Sequence, residues 1–147
     1  MKKLRIIVLL ISLLTLVTLV FSSCDENHLA KAYTGWAVNT KTGNENYYVE
    51  GVLQQGWCET PDGWVYLSRS ENLANNITYG DVTYGWKKIG GKVYYFRAGT
   101  SDPKYVVISD PERQLNYNGV RETYYINQTV VTGTGADYYI TNPPAGF

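Results

Sequence analysis

One stretch constrains this chain more than any other: Gly85-Trp86-Lys87-Lys88-Ile89-Gly90-Gly91-Lys92-Val93-Tyr94-Tyr95-Phe96. It spells a β-hairpin. Gly85 to Ile89 alternates as a strand does, and Gly90-Gly91 supplies the two positive-φ residues that a tight type I′ turn demands. Lys92 to Phe96 is a second strand, rich in β-branched and aromatic residues. Tyr95 lies on one face of that strand, and Tyr94 and Phe96 lie on the other. A two-stranded hairpin is marginal in water and cannot bury aromatics on both faces. The unit therefore requires neighbours of its own kind.

The chain supplies them. Gly35-Trp36 opens a strand that turns through Thr40-Lys41-Thr42-Gly43-Asn44 and returns as Asn46-Tyr47-Tyr48-Val49. Glu50 to Gln55 follow as a linker and lead to Gly56-Trp57. There the chain turns at Pro61-Asp62-Gly63, Pro pre-setting φ and Gly taking the positive-φ position, and returns as Trp64-Val65-Tyr66-Leu67. A polar stretch, 68–81, lengthens the interval before Gly85-Trp86 and suggests a longer loop or an extra strand. Beyond Phe96 the pattern thins. Lys104 to Ile108, between Asp102-Pro103 and Asp110-Pro111, reads as a strand. Asn118-Gly119 signals a hairpin turn before Thr123-Tyr124-Tyr125-Ile126. Gly133-Thr134-Gly135 signals another, between Val130-Val131 and Asp137-Tyr138-Tyr139-Ile140. Asn142 to Phe147 reads as a non-strand tail. No helical period is visible after the first residues. Self-similarity of this kind predicts an all-β array of β-hairpin repeats, β-solenoid-like, each hairpin burying its aromatics on the next.

The Gly-Trp-x-x-x-x-Gly-x-x-Tyr-Tyr-Phe pattern at 85–96 resembles the cell-wall-binding repeat of choline-binding proteins, glucan-binding domains and clostridial toxin tails. The resemblance is strong over 34–97. It departs at Asn46 and Val93, where the family usually has Trp. Residues 98–147 are expected to form degenerate repeats, or to close the structure as a small antiparallel sheet or cap.

The N-terminus carries an export signal. Lys2, Lys3 and Arg5 form a basic segment, Ile6 to Phe21 is an apolar run, and Ser22-Ser23-Cys24 precedes polar residues. That order marks a secretory signal over 1–23. Cys24 resembles the lipobox cysteine that is acylated in bacterial lipoproteins, although Phe21 departs from the usual Leu. The apolar run is short against the roughly 20 residues that a membrane-spanning helix needs. The expectation is a lipid anchor at Cys24, a tether over 24–33, and an extracytoplasmic domain attached to the membrane at the cell envelope. With Cys24 acylated, Cys58 is left alone and is expected to be a small buried strand residue without a disulfide.

The chain has 13 basic and 13 acidic residues, so loss of the signal leaves an acidic balance. Such a domain has no footprint for nucleic acid. The single histidine, His28, lies in the tether, which excludes a Ser-His-Asp set or a Cys–His pair in the domain. Gly133-Thr134-Gly135 lacks the Lys-Ser/Thr of a phosphate loop. Glu59, Asp62 and Asp81 are imaginable as paired acids, but scattered carboxylates more often form a solvated surface. Asp81, Asp102 and Asp110 lack a calcium-ligand spacing. No catalytic residue, metal or cofactor is expected.

Aromatics carry the functional expectation. The sequence holds 14 Tyr and 4 Trp. The family resemblance implies cages in which aromatic rings bind the quaternary ammonium of choline by cation–π attraction. One ring comes from Gly-Trp, one from Trp-Tyr-Tyr, and one from the next hairpin. Here Trp36, Trp57 and Trp86 stand at the first position, and Trp64 alone at the second. Trp57 with Trp64, walled by Tyr94 or Tyr95, is the one complete set. Stacking on sugars would use the same rings. The expected partner is a cell-wall polymer, choline-substituted teichoic acid or another glycan. The alternative is a structural or protein-interaction lipoprotein in which these aromatics are only core.

Overall fold

The computed structural model describes residues 33–127 and 133–147. The signal segment, Cys24, His28 and the Val130-Val131 strand expectation lie outside the described residues. The hairpin at 85–96 forms as its sequence demands. Gly85–Ile89 pairs antiparallel with Lys92–Phe96, Trp86 standing opposite Tyr95 and Lys87 opposite Tyr94. Gly90 and Gly91 both take positive φ, 57° and 80°, as the two-residue turn requires.

In chain order the strands are β1 (Gly35–Val38), β2 (Glu45–Val49), β3 (Val52–Leu53), β4 (Gly56–Thr60), β5 (Gly63–Leu67), β6 (Gly85–Ile89), β7 (Lys92–Phe96), β8 (Glu112–Tyr117) and β9 (Val120–Tyr125). They make a three-stranded sheet β1-β2-β3 and three two-stranded hairpins, β4-β5, β6-β7 and β8-β9. No α-helix occurs among the described residues, only 3₁₀ turns at Leu73–Asn75 and Gly135–Asp137. No helix there is long and apolar enough to cross a membrane. The architecture is the all-β array of antiparallel hairpins that the repeats predict.

Each junction between successive hairpins holds its own core. Tyr47, Cys58, Val65, Leu67 and Val82 join the first sheet to β4-β5. Tyr94, Phe96 and Val107, with Trp57, Trp64 and Tyr66 against them, join β4-β5 to β6-β7. Ile108, Leu115, Tyr124, Ile126 and Ile140, with Trp86 and Tyr95, join β6-β7 to β8-β9. The two-residue side-chain period of a strand explains this. Cys58, Val65 and Leu67 point to one face of β4-β5, Trp57, Trp64 and Tyr66 to the other. A fully buried Leu67 or Phe96 contributes roughly 1.5–3 kcal/mol.

Three expectations are corrected, and the choice between a loop and an extra strand at 68–81 is decided. Residues 50–55 are not a plain linker, because Glu50 and Gly51 turn at positive φ, 50° and 77°, and β3 then pairs with β2. Glutamate is not a residue whose chemistry announces a left-handed turn, so the turn was not legible. Residues 68–81 form a loop around the 3₁₀ turn, tied down by isolated bridges, rather than an added strand.

Residues 104–108 form no strand. Their backbone is shared between two hairpins: the Val107 amide donates to Trp64 O at 2.9 Å, and the Ile108 amide donates to Tyr95 O at 3.0 Å. A segment that divides its amides in this way keeps a single bridge, Val107 to Phe96, and builds no continuous ladder, whatever its β-propensity. Residues 137–140, expected as a returning strand, begin in the 3₁₀ turn. The Asp137 amide donates to Thr134 O at 2.9 Å and the Thr134 amide to Asp137 Oδ2 at 2.8 Å. These local bonds satisfy the backbone first. Only Ile140 reaches a ladder position, donating to Val93 O at 2.7 Å.

Candidate functional site

Trp57 stands directly opposite Tyr66, and Glu59 opposite Trp64, so both tryptophans share one face of β4-β5. The Trp57 ring centroid lies 5.0 Å from that of Tyr94, 5.3 Å from Tyr66 and 5.6 Å from Phe96. Trp57, Trp64 and Tyr94 are therefore brought together. Tyr95 is not, because it alternates to the opposite face, where its ring meets Trp86 at 5.3 Å. The shared face of the tryptophans carries the chain's own 3₁₀ turn. A β-carbon added to buried Gly135 would lie 2.3 Å from Trp57 Cε3 and 2.8 Å from Trp64 Cβ. Glycine permits this close approach of backbone to ring.

The other two tryptophans also have ring partners within the chain. Trp36 meets Tyr47 at 5.0 Å and Tyr105 at 5.4 Å. The Lys104 ammonium lies 5.5 Å from the centroids of Trp36 and Tyr105, the position a cation takes over aromatic faces. It is held there by both oxygens of Glu45, at 2.7 and 2.9 Å. Burial alone would raise the Glu45 carboxyl, but hydrogen bonds from Lys104 and Tyr105 outweigh it and hold the pKa below the ordinary value. Burial, then Glu45, pushes the Tyr105 phenol up to about 12. Trp86 is ringed by Tyr124, Tyr95, Tyr117 and Phe147 at 4.8, 5.3, 5.6 and 6.0 Å, and its indole N–H donates to Asn116 O at 2.9 Å.

Asp81 is a polar hub rather than a surface acid. It is 1% exposed. Its Oδ1 accepts from Asn39 Nδ2 at 2.8 Å, Asn46 Nδ2 at 3.2 Å and Thr42 Oγ1 at 3.3 Å. Its Oδ2 accepts from the Thr78 amide at 2.7 Å and Asn44 Nδ2 at 3.2 Å. Burial alone would raise its pKa, but the Thr78 amide and the Asn39, Asn44 and Thr42 donors outweigh it, so the net shift is downward. The network binds the 68–84 insertion to the first sheet. Asn46 is one of its donors. Glu59 and Asp62 are exposed and distant in role from Asp81. Among the described residues no group of acids, cysteines or histidines is placed to hold a metal ion.

Cys58 is buried on the inner face of β4, against the first sheet. Burial and then Glu59 push its thiol above the ordinary value, which disfavours the nucleophilic thiolate.

An open cleft lies elsewhere. It has a volume of about 680 Å³ and opens where the 68–84 insertion meets β4-β5 and β6-β7. Tyr66, Tyr84, Asn72, Asn75, Asn76, Thr83, Arg69, Lys87 and Lys88 are among its walls. Tyr84 is 57% exposed. Sequence reasoning missed this site. Its only signal was the Asn-rich run at 72–76, which by itself reads as loop.

No family model and no curated relative matches the chain. Among solved structures it is similar to choline-binding protein F from Streptococcus pneumoniae. One crystal form gives 22% identity over 74% of this chain and 34% of that chain, with a TM-score of 0.44. The same protein in the presence of a peptidoglycan analogue, a tetrasaccharide-pentapeptide, gives 22% identity, the same shares and a TM-score of 0.45. CbpF in complex with ipratropium gives 22% identity, 74% of this chain, 32% of that chain and a TM-score of 0.45. The chain spans about a third of the length of these structures.

Proposed function

We propose that this chain is an exported lipoprotein, anchored at Cys24, that holds a cell-envelope polymer without altering it chemically. The polymer is choline-substituted teichoic acid or another glycan. The observation that carries this reading is the open cleft between the second and third hairpins. It offers an exposed tyrosine ring beside amides and hydroxyls. Those are groups that stack on sugar rings and hydrogen-bond their hydroxyls. A non-catalytic role is supported by the lack of any histidine in 33–147 and by Asp81, whose carboxylate is already saturated with donors. The anchor rests on the 1–24 sequence.

The test is co-sedimentation of the full-length chain with purified wall material. Retention of the wild type, lost in Tyr84→Ala at an unchanged melting temperature, is the expected result. No retention on any wall preparation overturns the reading. A choline titration followed by tryptophan fluorescence tests the aromatic version of the site. A saturable shift abolished in Trp64→Ala places the ligand on Trp57, Trp64 and Tyr94. A second reading, display of loop 68–81 to a protein partner, draws on Leu73, which is 74% exposed. Loss of a captured partner on Leu73→Ser, with wall retention absent in the wild type, favours it.

A further inference from the structure

The charge in the cleft is one-sided. Arg69, Lys87 and Lys88 line it, and among the described residues Asp81 is the only acid that does. The Asp81 oxygens accept five hydrogen bonds, all from neutral donors, so that carboxylate is engaged within its own network and forms no direct ion pair with the cleft cations. Lys88 Nζ donates to Phe147 O at 3.0 Å. Arg69 and Lys87 have no acidic partner among the described residues, whose ion pairs are Lys104–Glu45 and Arg113–Asp110. Glu71, the nearest acid in sequence, lines a separate depression with Tyr48 and Tyr79. Arg69 is also placed by the fold. A β-carbon on buried Gly56 would fall 2.3 Å from Arg69 Nε, so the guanidinium lies over bare backbone at the start of β4. A guanidinium and an ammonium group without an acidic partner among the described residues, beside stacking rings and amide donors, match one ligand chemistry, sugar bearing anionic substituents.

We infer that the cleft formed by the 68–84 insertion, Arg69, Tyr84 and Lys87 selects an anionic saccharide polymer, phosphodiester- or carboxylate-bearing, over a neutral one. This rests on the polymer-binding reading and deepens it. Arg69 and Lys87 supply charge-assisted hydrogen bonds to the acid groups, while Tyr84 and the asparagines take the sugar between them.

The experiment is binding of the full-length chain to immobilised poly(glycerol phosphate), polygalacturonate and neutral dextran, at low and at raised salt. The expected result is retention on one or both acidic polymers, weakened by salt, and little on dextran. Preference between the two acidic polymers assigns the anion as phosphodiester or carboxylate. Arg69→Gln with Lys87→Gln is expected to weaken acidic-polymer binding about tenfold. Arg121→Gln, on the remote hairpin, removes a charge and is expected to leave binding unchanged. Circular dichroism confirms that each variant is folded. Equal, salt-insensitive binding to dextran and the acidic polymers overturns the charge inference while leaving polymer binding intact. So does an equal loss in Arg121→Gln. Retention on none of the three overturns both.

Discussion

The junction between β4-β5 and β6-β7 has two sides that the chain treats in opposite ways. On one side Trp57, Trp64, Tyr94 and Phe96 meet and are covered, by Val107 from the crossing segment and by Gly135 from the 3₁₀ turn. On the other side the same two hairpins spread around a cleft walled by Tyr84, Arg69, Lys87 and asparagines. The covered side has few polar atoms to satisfy and gains most by excluding water. The open side carries charges that would be costly to bury without partners. The aromatic residues that draw the eye in the sequence pack into the junction, and the less conspicuous polar ones line the open cleft.

Trp57→Ala strikes the covered side and is expected to have the largest effect. It removes a ring in contact with Tyr94, Tyr66 and Phe96 and should cost about 3 kcal/mol. Urea denaturation checks it. A loss under about 0.5 kcal/mol, within the range of ordinary surface substitutions, would show that this face is not core. Asp81→Asn comes next, at about 2 kcal/mol, because an amide presents donors to donors in a buried site. Its double partner is acid titration. The Asp81 carboxyl titrates lower in the folded chain than in the unfolded one, so its stabilisation is complete above about pH 4 and is lost as the pH falls through the folded value. Glu45 shifts in the same direction and adds to this limb. Melting temperature against pH should fall on the acid side in the wild type and fall less steeply there in Asp81→Asn, where only the Glu45 part of the limb remains.

Gly135→Ala probes the lid on the covered side. The added methyl meets Trp57 and Trp64, and overpacking of this kind costs about 1–3 kcal/mol. An unchanged melting temperature would mean that the 3₁₀ turn does not press on the tryptophans. The smallest effect on stability belongs to the open side. Tyr84→Ala should shift stability by less than about 0.5 kcal/mol, yet lose polymer retention. Loss of both together would make Tyr84 a packing residue and erase the contrast between the sides.

How much was legible depended on whether the deciding contacts were local. The hairpin at 85–96 could be read because Gly90-Gly91 and the alternating strands lie within one window. Asn118-Gly119 could be read for the same reason. Residues 104–108 could not, since their amides are claimed by Trp64 on one side and Tyr95 on the other. The Asp81 hub was equally hidden. Its side-chain donors Asn46 and Asn39 lie 35 and 42 positions away, and neither asparagine is distinctive alone. Trp57 and Trp64 do lie together with Tyr94, but the sequence carried no sign that Gly135 would sit on them.

The sequence by itself determined that this chain is a series of hairpins with aromatic faces, because turn chemistry and a two-residue period act over a few neighbours. Only the tertiary structure decided which of those faces would be covered and which left open. That choice turned on the segments between the hairpins, 68–84, 98–111 and 133–147. Their positions are set by long-range hydrogen bonds and by the shape of the gaps between hairpins, and neither leaves a periodic trace in the chain.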